Sequence, residues 1–178
     1  SNIIEANSAV FLVRIISPEK PFLTNNGTLP TWSKWACDKI IVVIGYKKEL
    51  IIKALSNENI IFVEQKNQNG TASAINECIP SIKNFKGNIL ILSGDVPLIT
   101  SKTLKEFINS HNQHKALASL ISTDLDEPKG YGRIIKNNNN QLINIVEHKD
   151  ANKNQLKINE INSGIYIIKS KLILEKIP

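Results

Sequence analysis

The chain has no long hydrophobic run. None of its apolar stretches nears the roughly 18 residues of a membrane span. The longest near the start, "AVFLVRII" (9–16), is interrupted by Arg14 and lacks a small-residue cleavage pattern. It reads as a strand rather than a signal peptide. Also missing is an Arg-rich block or a basic stripe interleaved with aromatics. The net charge of +6 comes from scattered lysines, so solvated lysine is the favoured reading and nucleic-acid binding the least favoured. The two cysteines, Cys37 and Cys78, are far apart and have no metal-ligand spacing. They read as small buried thiols, with a disulfide left open. No Ser/His/Asp or Cys/His set suggests a covalent nucleophile. His148 has no obvious partner, and His111 and His114 read as solvated positions near a helix C-terminus.

What remains is a chain of 178 residues, 42% hydrophobic and 21% charged, long enough for one domain with a real core. "KIIVVIG" (39–45), "IIFVE" (60–64), "NILIL" (88–92) and "ALASLIS" (116–122) read as strands. Between them lie helical patterns. Leu50, Ile51, Ala54 and Leu55 group on one face. Ile75, Cys78, Ile79 and Ile82 form a second face, which Pro80 should end or kink. Leu104, Phe107 and Ile108 form a third, with Thr100 or Ser101 as N-cap. Alternation of strand and helix predicts parallel strands joined by crossovers: an α/β three-layer sandwich with a mostly parallel central sheet. After residue 122 the pattern changes. "GRIIK", "QLINIVEH" and "INSGIYIIK" are strands separated by polar turns, with "KNNNNQ" as a hairpin-like turn, and "SKLILEKI" starts a last helix.

Ligands of open parallel sheets sit beyond the carboxyl ends of the strands. At such ends lie "VEQKNQNGTASA" (63–74) and "SGDVPLIT" (93–100). In the first, Gln65 can donate and accept side by side, as a nucleobase edge requires. Gly70-Thr71 opens a helix whose N-terminus offers N–H groups and positive potential. An ordinary loop explains this stretch equally well. In the second, Asp95 is a hard oxygen ligand, and one carboxylate plus substrate phosphates commonly holds Mg²⁺. Alone, it reads more readily as a turn residue before Pro97. Further on, "DEPKGYGRII" (126–135) puts two glycines around Tyr131. Glu147 ends one strand, and Asn162 precedes Ser163-Gly164 in the next. That carboxylate and amide could share sugar hydroxyls or be cross-strand surface polarity.

The motifs "GTASA", "LSGDVPLIT", "PKGYGRII", "IVEHKDA" and "EINSGIYI", in this order over residues 37–178, resemble the uridylyltransferase domain of the bacterial bifunctional UDP-N-acetylglucosamine pyrophosphorylase / glucosamine-1-phosphate acetyltransferases. The resemblance implies a Rossmann-like nucleotide-diphospho-sugar transferase fold. It implies a cytoplasmic enzyme of peptidoglycan precursor biosynthesis that makes UDP-N-acetylglucosamine and pyrophosphate from UTP and N-acetylglucosamine 1-phosphate with Mg²⁺. It implies that Gln65, Gly70 and Thr71 hold the uracil, that Asp95 holds the metal and is the catalytic residue, and that Gly132, Glu147 and Asn162 contact the sugar. No nucleic acid or membrane partner is implied. The family's Gly-rich triphosphate loop has no counterpart in residues 9–36. The alternative is therefore a catalytically impaired homologue that binds nucleotide sugar. Residues 1–178 are expected to be a single nucleotidyltransferase domain that stops short of the family's full length, without the acetyltransferase β-helix.

Overall fold

The computed structural model describes residues 11–16, 39–45, 48–55, 60–66, 70–93 and 99–177. They fall into two compact units. Leu120–Ile165 make the second unit, and the residues before and after it make the first.

The first unit is built on strands and helices. Strand β1 is Phe11–Ile16, β2 is Lys39–Ile44, β3 is Ile60–Glu64 and β4 is Asn88–Ser93. Helix α1 (Lys48–Ala54) lies between β2 and β3 in sequence, α2 (Thr71–Ile82) between β3 and β4, and α3 (Ser101–Gln113) after β4. Side chains alternate across a strand with a period of two. In β2 that alternation feeds two separate cores. Ile41 and Val43 pack with Ala74, Ile75, Cys78 and Ile82 of α2 and with Ile89 and Ile91 of β4. Ile40, Val42 and Ile44 pack on the other face with Ile51, Leu55, Ile60 and Phe62. A residue that is polar anywhere from 40 to 44 would therefore enter one core or the other.

The expected mostly parallel sheet is corrected here. The strand order in this unit is β3-β2-β1-β4-β8, where β8 is Glu160–Lys169. Among the described residues of this unit the β2–β3 ladder alone is parallel; β1 pairs antiparallel with both β2 and β4, and β4 pairs antiparallel with β8. Strands β2, β3 and β4 do run the same way, as their crossovers demand, but β1 lies reversed between β2 and β4. A continuous apolar run announces burial on both faces and carries no sign of direction.

Local details sharpen several helix expectations. Helix α1 buries a narrower face than expected, because Leu50 is 55% exposed. Helix α2 continues two residues past Pro80, and the Lys83 amide still reaches the Ile79 carbonyl at 2.9 Å. Proline removes its own N–H, and in the last turn the loss is confined to one bond. Thr100 is the N-cap of α3, its hydroxyl accepting from the Thr103 amide at 3.1 Å. The inward face of α3 is Leu104, Ile108 and His111, with Phe107 half-buried. His111 is thus a buried residue and not the solvated one expected, while His114 is exposed, as expected.

The second unit is antiparallel where its ladders are defined. Strand β5 is Ala118–Asp124, β6 is Arg133–Lys136 and β7 is Leu142–Val146. Strand β6 lies between β7 and the start of β8, antiparallel to both, and β5 pairs with β8. A 3-10 turn covers Gln155–Lys157, and α4 (Ser170–Lys176) follows β8. The asparagine run makes the β6–β7 turn. The Asn137 side-chain oxygen accepts from the amides of Asn139 and Gln141 at 3.0 and 2.9 Å, and Asn140 takes a φ of 60°. Asparagine suits both tasks, since its side chain mimics a backbone turn and it tolerates left-handed φ.

Cys78 lies fully buried in the α2 face, with its Sγ 3.3 Å from the Ala74 carbonyl. Burial, reinforced by Glu77, pushes its thiol up to about 12. Cys37 lies outside the described residues. In a Cys37→Ser background we expect no alkylation of Cys78 by iodoacetamide up to pH 9 while the protein is folded, and full alkylation in denaturant. Reaction of the folded protein at the denatured rate would contradict this placement.

Candidate functional site

Two groups of the residues singled out from sequence come together, one in each unit. In the first unit, Gln65 follows the last residue of β3 and is only 3% exposed. Its amide donates to the Ile44 carbonyl at 2.8 Å, extending the β2–β3 ladder by one bond. Its Nε2 donates to the Gly70 carbonyl at 3.2 Å. That carbonyl also accepts from the Ala74 amide at 3.2 Å, so it opens α2 while holding the Gln65 carboxamide in one orientation. Gly70 has φ 89° and ψ −175°, a region open essentially only to glycine. Nothing lies within 4 Å of the place a β-carbon would take. Backbone conformation, not space, calls for glycine there. Thr71 is the first helical residue and half-buried.

Beside Gln65, at the carboxyl end of β3, Glu64 pairs with Lys48 at 2.7 Å. The shared hydrogen bond holds the lysine above its usual range and the glutamate below its own. Both side chains are more than a third exposed, so the pair shapes the rim more than it stabilises it. Sequence reading had not singled it out.

In the second unit, Gly132, Glu147 and Asn162 stand in one cross-strand row. Arg133 faces Val146 of β7 and Ile161 of β8. One step outward in each antiparallel register brings Gly132 opposite both Glu147 and Asn162. The Asn162 amide donates to the Gly132 carbonyl at 2.9 Å. A β-carbon on Gly132 would meet the Glu147 carboxylate oxygens at 3.3 and 3.4 Å and Ile145 Cγ2 at 3.2 Å. The carboxylate therefore rests over the bare Cα of Gly132. Directly opposite residues point to the same face, so Glu147 and Asn162 flank Gly132, and the Glu147 carboxylate occupies the space a side chain there would take. The Asn162 Oδ1 accepts from the Gly164 amide at 3.1 Å, which fixes the side chain.

Arg133 sits behind this row, 1% exposed. Its Nη1 donates to the Tyr131 carbonyl, its Nη2 lies 3.4 Å from His148 Nδ1, and its Nε has no partner. A planar guanidinium suits such a fixed fork. Sequence reading passed over Arg133. The available signal was rarity, since 20 of the 22 basic residues are lysine.

Asp95 lies outside the described residues. Among the described residues, no group of three or more His, Cys, Asp or Glu side chains could hold a metal ion. No described helix is long and apolar enough to cross a membrane.

A model of the family described as "Nucleotidyl transferase" matches residues 26–177. The chain belongs to the nucleotidyl transferase family. It is 40% identical over 139 residues to the bifunctional protein GlmU of Rippkaea orientalis, covering 78% of this chain and 31% of that protein. To the bifunctional protein GlmU of Streptococcus uberis it is 40% identical over 135 residues, covering 76% and 29%. The chain thus spans about a third of the length of the curated relatives it matches. The crystal structure of HddC from Yersinia pseudotuberculosis superposes with a TM-score of 0.52 at 23% identity, covering 76% of this chain and 57% of that one. That likeness supports a Rossmann-like fold. These relatives bear out the resemblance read from the motifs.

Gly70→Ala should lower stability by about 1–3 kcal/mol through backbone strain, read as a lower urea midpoint at unchanged m-value; an unchanged midpoint would refute the strain. A second expectation concerns pH. The Glu160 carboxylate accepts from Lys136 Nζ at 2.7 Å and from the Ser122 hydroxyl at 2.6 Å, and these two bonds, the lysine's first, depress its pKa below 4.5. A depressed carboxylate contributes stability that is present above its unfolded pKa and lost as pH falls through the folded one. Glu160→Gln should therefore flatten the fall in melting temperature below about pH 4.5 and leave the slope from pH 6 to 8 unchanged.

Proposed function

We propose that the chain is a sugar-1-phosphate uridylyltransferase that forms UDP-N-acetylglucosamine and pyrophosphate from UTP and N-acetylglucosamine 1-phosphate. The observation that carries the reading is the Gly132–Glu147–Asn162 row. A charged acceptor and an amide on either side of a glycine match the alternating hydroxyls and acetamido group of an amino sugar. Family membership and the identity to GlmU proteins support the same reading.

In this reading Gln65 takes the uracil edge, its carboxamide oriented by Gly70, and Thr71 stands at the helix start beside it. Glu147 and Asn162 hold the sugar, and Gly132 leaves room for the Glu147 carboxylate between them. A phosphate oxygen of the sugar phosphate attacks the α-phosphorus of UTP. The bond from that phosphorus to the β-phosphate oxygen breaks, and pyrophosphate leaves with the electron pair. No protein nucleophile takes part, so the residues act by positioning and by electrostatics. Asp95 with the substrate phosphates is the donor set a Mg²⁺ ion accepts, and the ion would neutralise phosphate charge.

Asp95→Asn should lower kcat by at least about a hundredfold with an unchanged melting temperature; wild-type turnover would remove its role. Glu147→Ala should raise KM for the sugar phosphate roughly tenfold to a hundredfold, the worth of one charged hydrogen bond. KM for UTP should stay within a factor of about two. Equal effects on both substrates would sink the sugar assignment. The absence of a Gly-rich stretch in residues 9–36 favours the impaired homologue as second reading. Calorimetric binding of UDP-N-acetylglucosamine without pyrophosphate release would select it.

A further inference from the structure

The first unit has a second concave feature, at the end of its sheet opposite Gln65. Strand β4 begins there at Asn88, α2 and α3 end there, and β8 passes into α4 there. These ends enclose a cleft of about 870 Å³. Its lining includes Lys83, Lys86, Lys115, Lys169 and Lys171, against one acid, Glu175. Glu175 lies 3.7 Å from Lys171. Among the described residues, no carboxylate pairs with the other four lysines.

Helix ends explain part of this charge and not all of it. A helix C-terminus carries roughly half a negative charge, which favours a nearby cation. Lys83 is the C-cap of α2, and Lys115 follows the C-cap of α3. Lys86 and Lys169 cap no helix C-terminus. Five ammonium groups, less one carboxylate and about one unit of charge from two helix ends, leave roughly three positive charges in the cleft.

A buried polar group stands in the same wall. His111 lines the cleft and is 3% exposed. Its Nδ1 lies 2.8 Å from the Ser119 hydroxyl, and its Nε2 has no partner. Burial first, and then Lys169, lower its pKa. The surrounding backbone is tied down. The Ser170 hydroxyl donates to the Phe85 carbonyl at 2.8 Å and accepts from the Gly87 amide at 3.2 Å, and Asn88 Nδ2 donates to Asn112 Oδ1 at 3.0 Å.

We propose that this cleft is a binding site for a small phosphorylated metabolite, its phosphate held by the lysines, with the buried His111 in the wall beside it. Phe85 and Leu174 give the cleft an apolar side for the rest of such a molecule. The site is separate from Gln65 and does not depend on the activity proposed above.

Inorganic phosphate is the first probe, titrated into the full chain at constant ionic strength. The imidazole ¹⁵N resonances of His111 report on the cleft, assigned by elimination with His114→Gln and His148→Gln. The expected result is a saturable shift whose apparent Kd rises about tenfold in the Lys83→Gln/Lys115→Gln variant, which leaves the buried core untouched. A shift that does not saturate, one that potassium chloride reproduces at equal ionic strength, or a rise of less than threefold in the variant would each overturn the proposal.

Discussion

The first unit depends on one constraint: β2 is buried on both faces by different neighbours. Odd residues of β2 meet α2 and β4, and even residues meet α1 and β3. The period of two that sorts them leaves no slack in register, because a slip of one residue would exchange the two cores. Where β2 and β3 end is thereby fixed, and Gln65 follows at that edge. The cleft at the other edge is fixed by the same strands, since the start of β4 forms part of its wall.

The second unit uses polar chemistry for the same purpose. Asn137 holds the β6–β7 turn, Glu160 of β8 is tied to Lys136 of β6 and Ser122 of β5, and Arg133 reaches back to the Tyr131 carbonyl. Half-exposed strands obtain little register information from apolar packing, and Leu142 and Ile143 of β7 are largely exposed. Directional bonds supply what the core does not.

Much of this was legible in the sequence, for identifiable reasons. Continuous β-branched runs marked β2, β3 and β4, and the motif "GYGRII" together with Glu147 and Asn162 marked the row that the structure assembles. Strand direction was not legible, because "FLVRII" reads alike forwards and backwards in burial. The exposure of Leu50 and the burial of His111 were also hidden. Helical spacing tells which residues share a face, and tertiary neighbours decide how wide that face is. Arg133 escaped notice because its role is to reach a carbonyl two residues earlier, and no spacing rule records that.

The bare Cα of Gly132 has a consequence for how the second unit tolerates change. At most sites, side chains of graded size explore graded effects. Here the smallest possible enlargement, one methyl group, already meets a carboxylate at 3.3 Å and a branched methyl at 3.2 Å. Any space for a side chain at position 132 must come from Glu147 or Ile145, the neighbours that have atoms to give up.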